Sequence, residues 1–453
     1  MDATLSVVIP PAPPVPPRDL PLPQLLTGFL RNSISTLPEY AFDVMFSRRT
    51  LLGVNNLMVN DPEGARHVLI EARERYRRPL VSVRAARPLA GAGVLLSEGE
   101  VWRRQRRTLA PVFKPAAIAD LSPHFKAAAE GLLRDVEGRP GINLSAAFHR
   151  ATLDAVLRAL FSQEAGAATD GLAAMVRVYM NGPGRPNFLD GFARAETDFT
   201  YPGDRRRAFQ RKWFAAVDDI VAQRKAVPTS GRRDLLGLLL QARDPETEQP
   251  LSSAEIRDQS ATMLFAGFET TSRLLFWAAY LLALDPAEQT RVREEIQAFP
   301  PDRVDKLDDT THWPRLRQVL SEALRLYPPV AYVVRDAVDD DMVLGETVKP
   351  GARVWISPWV MHRHRRFWDH PTAFMPSRFT GQRSPWAHGP FIPFGMGPRI
   401  CIGAAFAMAE AEIMLATLLH RCSISLKSKT PVLPIANVTI RPSYEPAFEL
   451  LLA

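Results

Sequence analysis

The chain has 453 residues, of which 46% are hydrophobic and 23% charged, enough for a large core in one sizeable domain or in two to three ordinary ones. A formal charge of +7, from 56 basic and 49 acidic residues, argues against nucleic-acid binding over the whole surface and favours a docking patch for an acidic partner. Two cysteines form no disulfide framework, which is typical of a reducing cytosol, and the early apolar run Leu5–Ile9 is far below the roughly 20 residues of a membrane-spanning helix. We therefore expect a cytoplasmic monomer without a transmembrane anchor and without a nucleic-acid partner.

The first part of the chain is predicted to be irregular. Residues 1–40 are proline-rich, and within them the stretch Pro10–Pro17 predicts a stiff, polyproline-like segment without a core. Residues 52–59 predict a strand, and Asn60 is expected to cap a short helix that ends near Arg73. Prolines, glycines and scattered aliphatic residues in the stretch 79–97 predict a loop.

The next stretches are predicted to be helical. Residues 98–109 predict a helix on which Trp102 and Arg106 share one face. A solvated basic face is the ordinary explanation of this run, and the tryptophan beside the arginines suggests an anionic ligand. Residues 123–223 predict two helices separated by glycine–proline breaks, which is typical of a lid.

A long apolar helix is predicted in the middle of the chain. Ser252 and Glu255 have capping-box spacing, and the helix continues until just before Pro286. Because it is apolar nearly all round, it must lie in the protein centre. The stretch 266–271, Ala-Gly-Phe-Glu-Thr-Thr, predicts a local bend or an opened hydrogen bond, and a buried Glu269 would need a partner or water. A packed helix with a satisfied polar pair explains the same residues.

The last third of the chain leads to a specialised cysteine. Residues 316–326 predict a helix, short strands should follow, and the stretch 367–394 predicts a long irregular loop of functional importance. In Phe394–Gly403, three glycines and a proline surround Cys401, and good helix formers follow. Backbone N–H groups and the helix dipole there favour a thiolate, which could be a nucleophile, a redox centre or a metal ligand. A small buried apolar cysteine is the alternative.

Together these features resemble the cytochrome P-450 superfamily of haem-thiolate monooxygenases, in its soluble bacterial-type form, over nearly the whole chain. The cysteine loop matches the family signature Phe-x-x-Gly-x-Arg-x-Cys-x-Gly. Four supporting motifs occur in the family's order: Trp102-x-x-x-Arg106, Ala266-Gly267-x-Glu269-Thr270-Thr271, Glu322-x-x-Arg325 and Phe374-x-Pro376-x-Arg378-Phe379. The resemblance implies a mainly α fold with a minor β region, formed as one domain over residues 41–453. The haem would lie between the central distal helix and the helix after the cysteine loop.

The resemblance also implies roles on the proximal side. Cys401 would be the axial thiolate ligand of haem b, iron protoporphyrin IX. Phe394 would shield the sulfur, and the loop that ends at Gly403 would temper its charge through backbone N–H groups. The expected propionate-binding residues are Trp102, Arg106, Arg335, Arg399 and, as a weaker candidate, His362. A buried charge cluster of Glu322, Arg325 and Arg378 would brace the proximal loop.

On the distal side, Glu269 and Thr270 match the family's acid–alcohol pair. Thr270 would hydrogen-bond O2, and Glu269 would help feed protons to it through water. Ala266 and Gly267 would leave space above the iron. Without the acid–alcohol pair, reducing equivalents should leak to peroxide.

The resemblance finally implies partners. Electrons from NAD(P)H would come through a separate ferredoxin or flavodoxin and its reductase. The arginines expected to border the docking face are Arg103, Arg104, Arg107, Arg363, Arg365 and Arg366. A hydrophobic small molecule would be hydroxylated or epoxidised. The pocket positions expected by analogy are residues 80–95, Phe188, Leu264, Phe268, Val330–Val334 and Ala436–Thr439, among which no arginine predicts a carboxylate anchor.

Two other functions explain part of the sequence. A peroxide-driven or isomerising haem-thiolate enzyme would keep the haem, but such relatives often lack the acid–alcohol pair that is present here. A non-catalytic haem sensor or basic helical binding protein would explain neither the central helix nor the charge cluster.

Overall fold

Helices form most of the chain. The computed structural model describes residues 8–164, 166–185, 190, 203–226, 234–305, 311–381 and 389–452. The α-helices in these ranges are α1 (Leu22–Arg31), α2 (Pro62–Arg66), α3 (Leu80–Ala90), α4 (Gly99–Leu109), α5 (Pro115–Ala119), α6 (Ser122–Val136), α7 (Leu144–Phe161), α8 (Ala167–Asn181), α9 (Gly203–Ala226), α10 (Leu235–Gln241), α11 (Ser253–Leu284), α12 (Pro286–Ala298), α13 (Pro314–Leu326), α14 (Pro358–Met361) and α15 (Ala404–Arg421).

Short strands form a minor β region. They are β1 (Phe46–Leu51), β2 (Val54–Val59), β3 (Tyr76–Arg77), β4 (Val333–Ala337), β5 (Asp341–Val343), β6 (Glu346–Val348), β7 (Arg353–Ile356), β8 (Cys422–Leu426), β9 (Pro434–Ala436), β10 (Ile440–Pro442) and β11 (Phe448–Leu452). The largest sheet has the order β1-β2-β7-β4-β3, in which β2 and β7 are parallel and the other pairs antiparallel. Two-stranded sheets pair β5 with β6, β8 with β11 and β9 with β10. The expected mainly α fold with a minor β region is confirmed.

Helix α11 is the centre of the core. Ser252 and Glu255 form the predicted reciprocal capping box, and the helix ends at Leu284 before Pro286. Most of its side chains are buried, and it packs against α3, α7, α9, α13 and α15. The helix is continuous through residues 266–271, where the Thr270 hydroxyl donates to the Ala266 carbonyl at 2.7 Å. Such a bond to the carbonyl four residues earlier is compatible with a local bend and does not end the helix.

The predicted cap at Asn60 is wrong. Asp61 caps α2, because its Oδ1 accepts a hydrogen bond from the Gly64 N–H at 2.8 Å. Asn60 is fully buried and donates to the Ala41 carbonyl instead. The regular α-helix ends at Arg66 and continues as a π-helical turn to Glu71.

The predicted loop over residues 79–97 is also wrong in its first half, which forms α3 with Pro88 inside the helix. Two side chains from distant helices bind its backbone: Tyr179 donates to the Ala85 carbonyl and Trp213 to the Leu89 carbonyl, each at 2.8 Å. These tertiary hydrogen bonds and the packing on α9 and α11 stabilise the helix. The sequence predicted a loop because proline inside the segment is unfavourable for a helix.

The other predicted elements near the cysteine are confirmed. The helices around Trp102 and Glu322 are α4 and α13, the strand around Arg335 is β4, and the helix after Cys401 is α15. No helix in the described ranges combines the length and apolarity needed to cross a bilayer.

Candidate active site

The loop before α15 requires glycine at two turns. Gly395 and Gly397 have φ angles of +76° and +75°, in the left-handed region. A Cβ atom at Gly397 would also lie 2.6 Å from Ile70 Cγ1, so the close approach of the loop to the π-helical turn excludes a side chain. The Cys401 N–H donates to the Phe394 carbonyl at 2.9 Å and closes the loop. These contacts fix the backbone around the sulfur.

The Cys401 side chain is solvent-accessible although protein surrounds it. Burial by the surrounding protein raises the pKa of the thiol. The Gly403 N–H, which bonds the sulfur, and the Arg106 guanidinium act in the opposite direction. Exposure and a water-poor environment occur together when a side chain faces an internal cavity.

Trp102 and Arg399 stack beside this loop. The Arg399 guanidinium carbon lies 4.3 Å from the centroid of the Trp102 ring, and its Nη1 donates to the Ser97 carbonyl at 3.0 Å. Arg335 lines the same cleft as these two side chains. The structure thus brings together three of the residues that the sequence predicted to bind propionates.

Positive charge exceeds negative charge in this cleft. Burial, with the nearby Arg78 as the second cause, lowers the pKa of Arg335 to about 10 and that of Arg399 to about 9. Burial also lowers the pKa of Arg106. Glu98 pairs with Arg78 and Arg399, whereas Arg106 and Arg335 form no ion pair with any residue in the described ranges. Such guanidinium groups are suited to carboxylates.

His362 has a different environment. It is fully buried, and its Nε2 accepts a hydrogen bond from the Ile392 N–H at 2.9 Å. Burial, with Arg325 and Arg363 close by, holds its pKa well below the usual range, so the ring is neutral. The contacts of His362 connect the segment after α14 to the cysteine loop, and none of them reaches Arg106, Arg335 or Arg399.

Open space also borders the middle of α11. Ala266 and Thr270, four residues apart on one helical face, are partly exposed, although the flanking turns of the helix are buried. The Thr270 hydroxyl donates to the Ala266 carbonyl. An alcohol and a small side chain are therefore next to unfilled space inside the protein.

Glu269 is buried and fully hydrogen-bonded. Its Oε1 accepts from Arg273 Nε at 3.1 Å and from Thr439 Oγ1 at 3.0 Å, and its Oε2 lies 2.8 Å from His149 Nε2. Burial opposes ionisation, but Arg273, His149 and Thr439 outweigh it and lower the pKa of Glu269 to about 2. The sequence predicted that a buried Glu269 would need a polar partner, and the structure gives it three: Arg273, Thr439 and His149.

Gly267 faces another helix. A Cβ atom there would lie 2.9 Å from Val156 Cγ2 on α7. The missing side chain is thus explained by the close packing of α7 on α11, which is a different reason from the open space that we expected.

The charge cluster expected from the sequence is present. Glu322 and Arg325 are fully buried and joined by two hydrogen bonds of 2.7 and 2.8 Å. Arg378 Nε donates to Glu322 at 3.2 Å, and Arg325 also donates to the carbonyls of His362 and Pro371. The cluster therefore ties α13 to the segment that leads to the cysteine loop.

The expected docking face is largely neutralised. Arg103 pairs with Glu74 and Glu100, Arg104 with Glu255, Arg107 with Asp244 and Glu246, and Arg365 with Glu39 and Asp43. The prediction is wrong for Arg363, which is buried, stacks 3.5 Å from the centroid of the Trp359 ring and donates to the Leu326 carbonyl. Arg366 is exposed and forms no ion pair within the described residues.

Some expected pocket positions are core residues. Leu264 and Phe268 are buried in the main hydrophobic cluster, whereas Val330 is exposed. Phe188 lies outside the described residues.

Sequence reasoning missed three side chains near residues 269–271. His149 and Thr439 bind Glu269 from distant elements, and no local pattern indicates such contacts. Glu410 on α15 is fully buried, and neither of its oxygens has a hydrogen-bond partner. Its position among the apolar residues of α15, two residues before Glu412, was the available signal.

The residues present fit a haem. A solvent-accessible cysteine sulfur surrounded by protein, guanidinium groups without an ion-pair partner among the described residues, and a partly exposed hydroxyl on the central helix are the parts that a haem with a thiolate ligand requires. Fold and site thus define the class of haem-thiolate proteins.

Comparison with known proteins agrees with this class. The cytochrome P450 family model matches residues 42–447. Similar proteins include a cytokinin hydroxylase of Arabidopsis thaliana (28% identity, 90% of this chain and 82% of the relative) and cyclooctatin synthase of Streptomyces melanosporofaciens (30% identity, 84% and 81%). A retinoic acid-bound cyanobacterial P450, CYP120A1, is similar in structure, with a TM-score of 0.79 and 25% identity over 98% of this chain and 100% of the other. The chain belongs to the cytochrome P450 family and is a haem-thiolate monooxygenase.

Proposed function

We propose that this P450 takes electrons from NAD(P)H through a separate ferredoxin or flavodoxin with its reductase and inserts one oxygen atom of O2 into a hydrophobic small molecule. One observation carries the proposal. In the middle of α11, where the neighbouring turns are mostly buried, Ala266 and Thr270 are partly exposed, and Cys401 in the loop before α15 is exposed as well. A small apolar molecule and O2 need open space beside the thiolate and beside the alcohol.

The proximal residues would hold the cofactor. Cys401 would ligate the iron of haem b, which supplies the redox and oxygen chemistry when bound. The Gly403 N–H would temper the charge on the sulfur, and Phe394 would shield it. The haem propionates would bind the guanidinium groups of Arg106, Arg335 and Arg399 and the indole N–H of Trp102. His362 would instead support the cysteine loop through Ile392.

The distal residues would handle protons. Thr270 can exchange its hydrogen bond to the Ala266 carbonyl for one to O2 or water, because its hydroxyl rotates freely. Glu269 would supply protons from the solvent side through water. Because the pKa of Glu269 is about 2, it holds a proton only transiently, and His149 at 2.8 Å is a neighbour able to return one to it.

The comparisons support a small organic substrate. Similar proteins are named for cytokinin hydroxylation and cyclooctatin synthesis, and a structural relative binds retinoic acid. Arg366 is the best remaining docking residue for an acidic electron donor, because it is exposed and not ion-paired within the described residues. Arg366→Glu should slow reduction by the donor at low ionic strength.

A spectrum of the reduced, carbon monoxide-bound protein tests the ligand assignment. The wild type should show the thiolate-type red shift of the Soret band and Cys401→Ala should lack it; the same band in both proteins would contradict the assignment. Thr270→Ala should divert reducing equivalents to peroxide, measured as peroxide formed per NAD(P)H consumed. Thr271→Ala is the matched control, since Thr271 is buried away from the open space.

A further inference from the structure

A polar cleft lies on the outer side of Glu269, where three elements meet. Arg177 from α8, Arg273 from α11 and Arg441 from β10 line it, together with Asn181 and the turn 437–439 between β9 and β10. This cleft is separate from the one lined by Arg335 and Arg399. The sequence predicted no arginine near the turn as an anchor for a carboxylate.

The cleft has more positive than negative charge. The two Glu269 oxygens already bond Arg273, Thr439 and His149, and among the described residues Glu269 forms no ion pair with Arg177 or Arg441. Among the described residues, neither Arg177 nor Arg441 forms an ion pair. Glu445, the other carboxylate that acts on Arg441, is exposed and bonds Asn143.

Arg185 adds to this excess. Burial lowers the pKa of Arg441, and the nearby Arg185 and Arg273 lower it further. The buried Arg185 Nε atom has no hydrogen-bond partner. Guanidinium groups in excess of the nearby carboxylates are a favourable environment for an added anion.

The cleft also has an apolar wall. Met180 and Val438 line it beside the arginines. A planar carboxylate matches the guanidinium geometry of Arg441, and the adjoining wall suits an aliphatic chain.

We propose that this cleft binds a carboxylate group through Arg441 and Arg177. The carboxylate group belongs either to an apolar substrate with an acidic end or to a small free carboxylic acid. The first of these sources rests on the proposed function.

Binding to the haem-loaded protein tests the proposal. Dodecanoate and its uncharged methyl ester differ only in the charged group, and calorimetry gives their Kd while the Soret band reports a spin-state shift. The wild type should prefer the acid by about tenfold, and Arg441→Gln should remove this preference. Arg303→Gln is the matched control, because it removes the same charge from an exposed turn at Pro301–Arg303 and should keep the preference.

The source of the carboxylate follows from the same titrations. A spin-state shift with dodecanoate that Arg441→Gln weakens identifies the acidic end of a substrate. Binding of acetate that Arg441→Gln weakens, without a spin-state shift, identifies a free carboxylate. The proposal is overturned if the wild type binds neither carboxylate, or if Arg441→Gln binds them as the wild type does. The carbon monoxide spectrum of each variant is recorded alongside, so a failure of haem binding or of the proposed function is seen separately.

Discussion

Glu269 on α11 and His149 on α7 are 120 residues apart in the chain, and their Oε2 and Nε2 atoms lie 2.8 Å apart. His149 Nδ1 lies 2.9 Å from the Ser145 carbonyl oxygen, so the ring bridges Glu269 and the backbone of α7. The contact makes the distal acid part of the interface between two core helices. Its charge therefore affects the stability of the fold.

The first prediction concerns acid stability. The pKa of Glu269 is about 2 in the folded protein, below its value in the unfolded chain. The resulting stability, about 3 kcal/mol, is present above the unfolded pKa of about 4.5 and is lost as the pH falls toward about 2. Urea unfolding at several pH values between these limits measures the loss.

Glu269→Gln is the reference for that measurement. The variant should be less stable than the wild type at neutral pH, because it leaves Arg273 buried without its charge partner. The difference should shrink as the pH falls from about 4.5 toward about 2, since the wild-type carboxylate becomes protonated. A difference that is constant with pH would contradict the ionised state of Glu269.

The second prediction concerns the charge cluster. Glu322→Gln should destabilise the protein by about 3–5 kcal/mol, because it leaves the fully buried Arg325 without a counter-charge. Unfolding by urea and haem content should both report the loss. Glu346→Gln is the control, since its exposed pair with Arg48 at 3.4 Å is worth about 0–1 kcal/mol. Equal effects of the two variants would refute the bracing role.

The third prediction concerns helix packing. Gly267→Ala should cost about 1–3 kcal/mol, because the new methyl group would lie 2.9 Å from Val156. Val156→Ala should recover part of this loss in the double variant. Gly171→Ala on α8 is the control, since a Cβ there meets no atom within 4 Å and alanine favours a helix. If both alanines stabilise the protein, α7 does not require glycine at residue 267.

Local patterns predicted the elements that carry the chemistry. The capping box at Ser252 and the apolar run after it gave α11 its start and length, and the glycines around Cys401 predicted a specialised loop before a helix. Each of these signals comes from residues that are neighbours in the sequence. Local steric and hydrogen-bonding rules are therefore sufficient to interpret them.

Tertiary contacts were not predictable in this way. Helix α3 depends on hydrogen bonds from Tyr179 and Trp213, which follow it by about a hundred residues. His149 and Thr439 reach Glu269 only after α7 and the β9–β10 turn have packed on α11. Hydrophobic periodicity and secondary-structure propensity describe one helix or strand at a time, so they contain no information about partners that are distant in the sequence.

The last prediction concerns Glu410 on α15. Burial raises the pKa of this carboxyl group well above its usual range, and the nearby Thr271 hydroxyl only partly opposes the effect. The folded state therefore binds a proton that the unfolded chain releases, and stability should decrease as the pH rises above about 4.5.

Glu410→Gln removes this titration while it keeps the shape of the side chain. The free energy of unfolding of the wild type relative to this variant should fall by about 1.4 kcal/mol per pH unit until the folded carboxyl ionises. Glu412→Gln is the matched control, because Glu412 is equally buried but accepts two hydrogen bonds of 2.6 and 3.0 Å from Arg317. Its loss should destabilise the protein at neutral pH, whereas Glu410→Gln should stabilise it. If both variants destabilise the protein equally at neutral pH, Glu410 is ionised and has a counter-charge in the folded state.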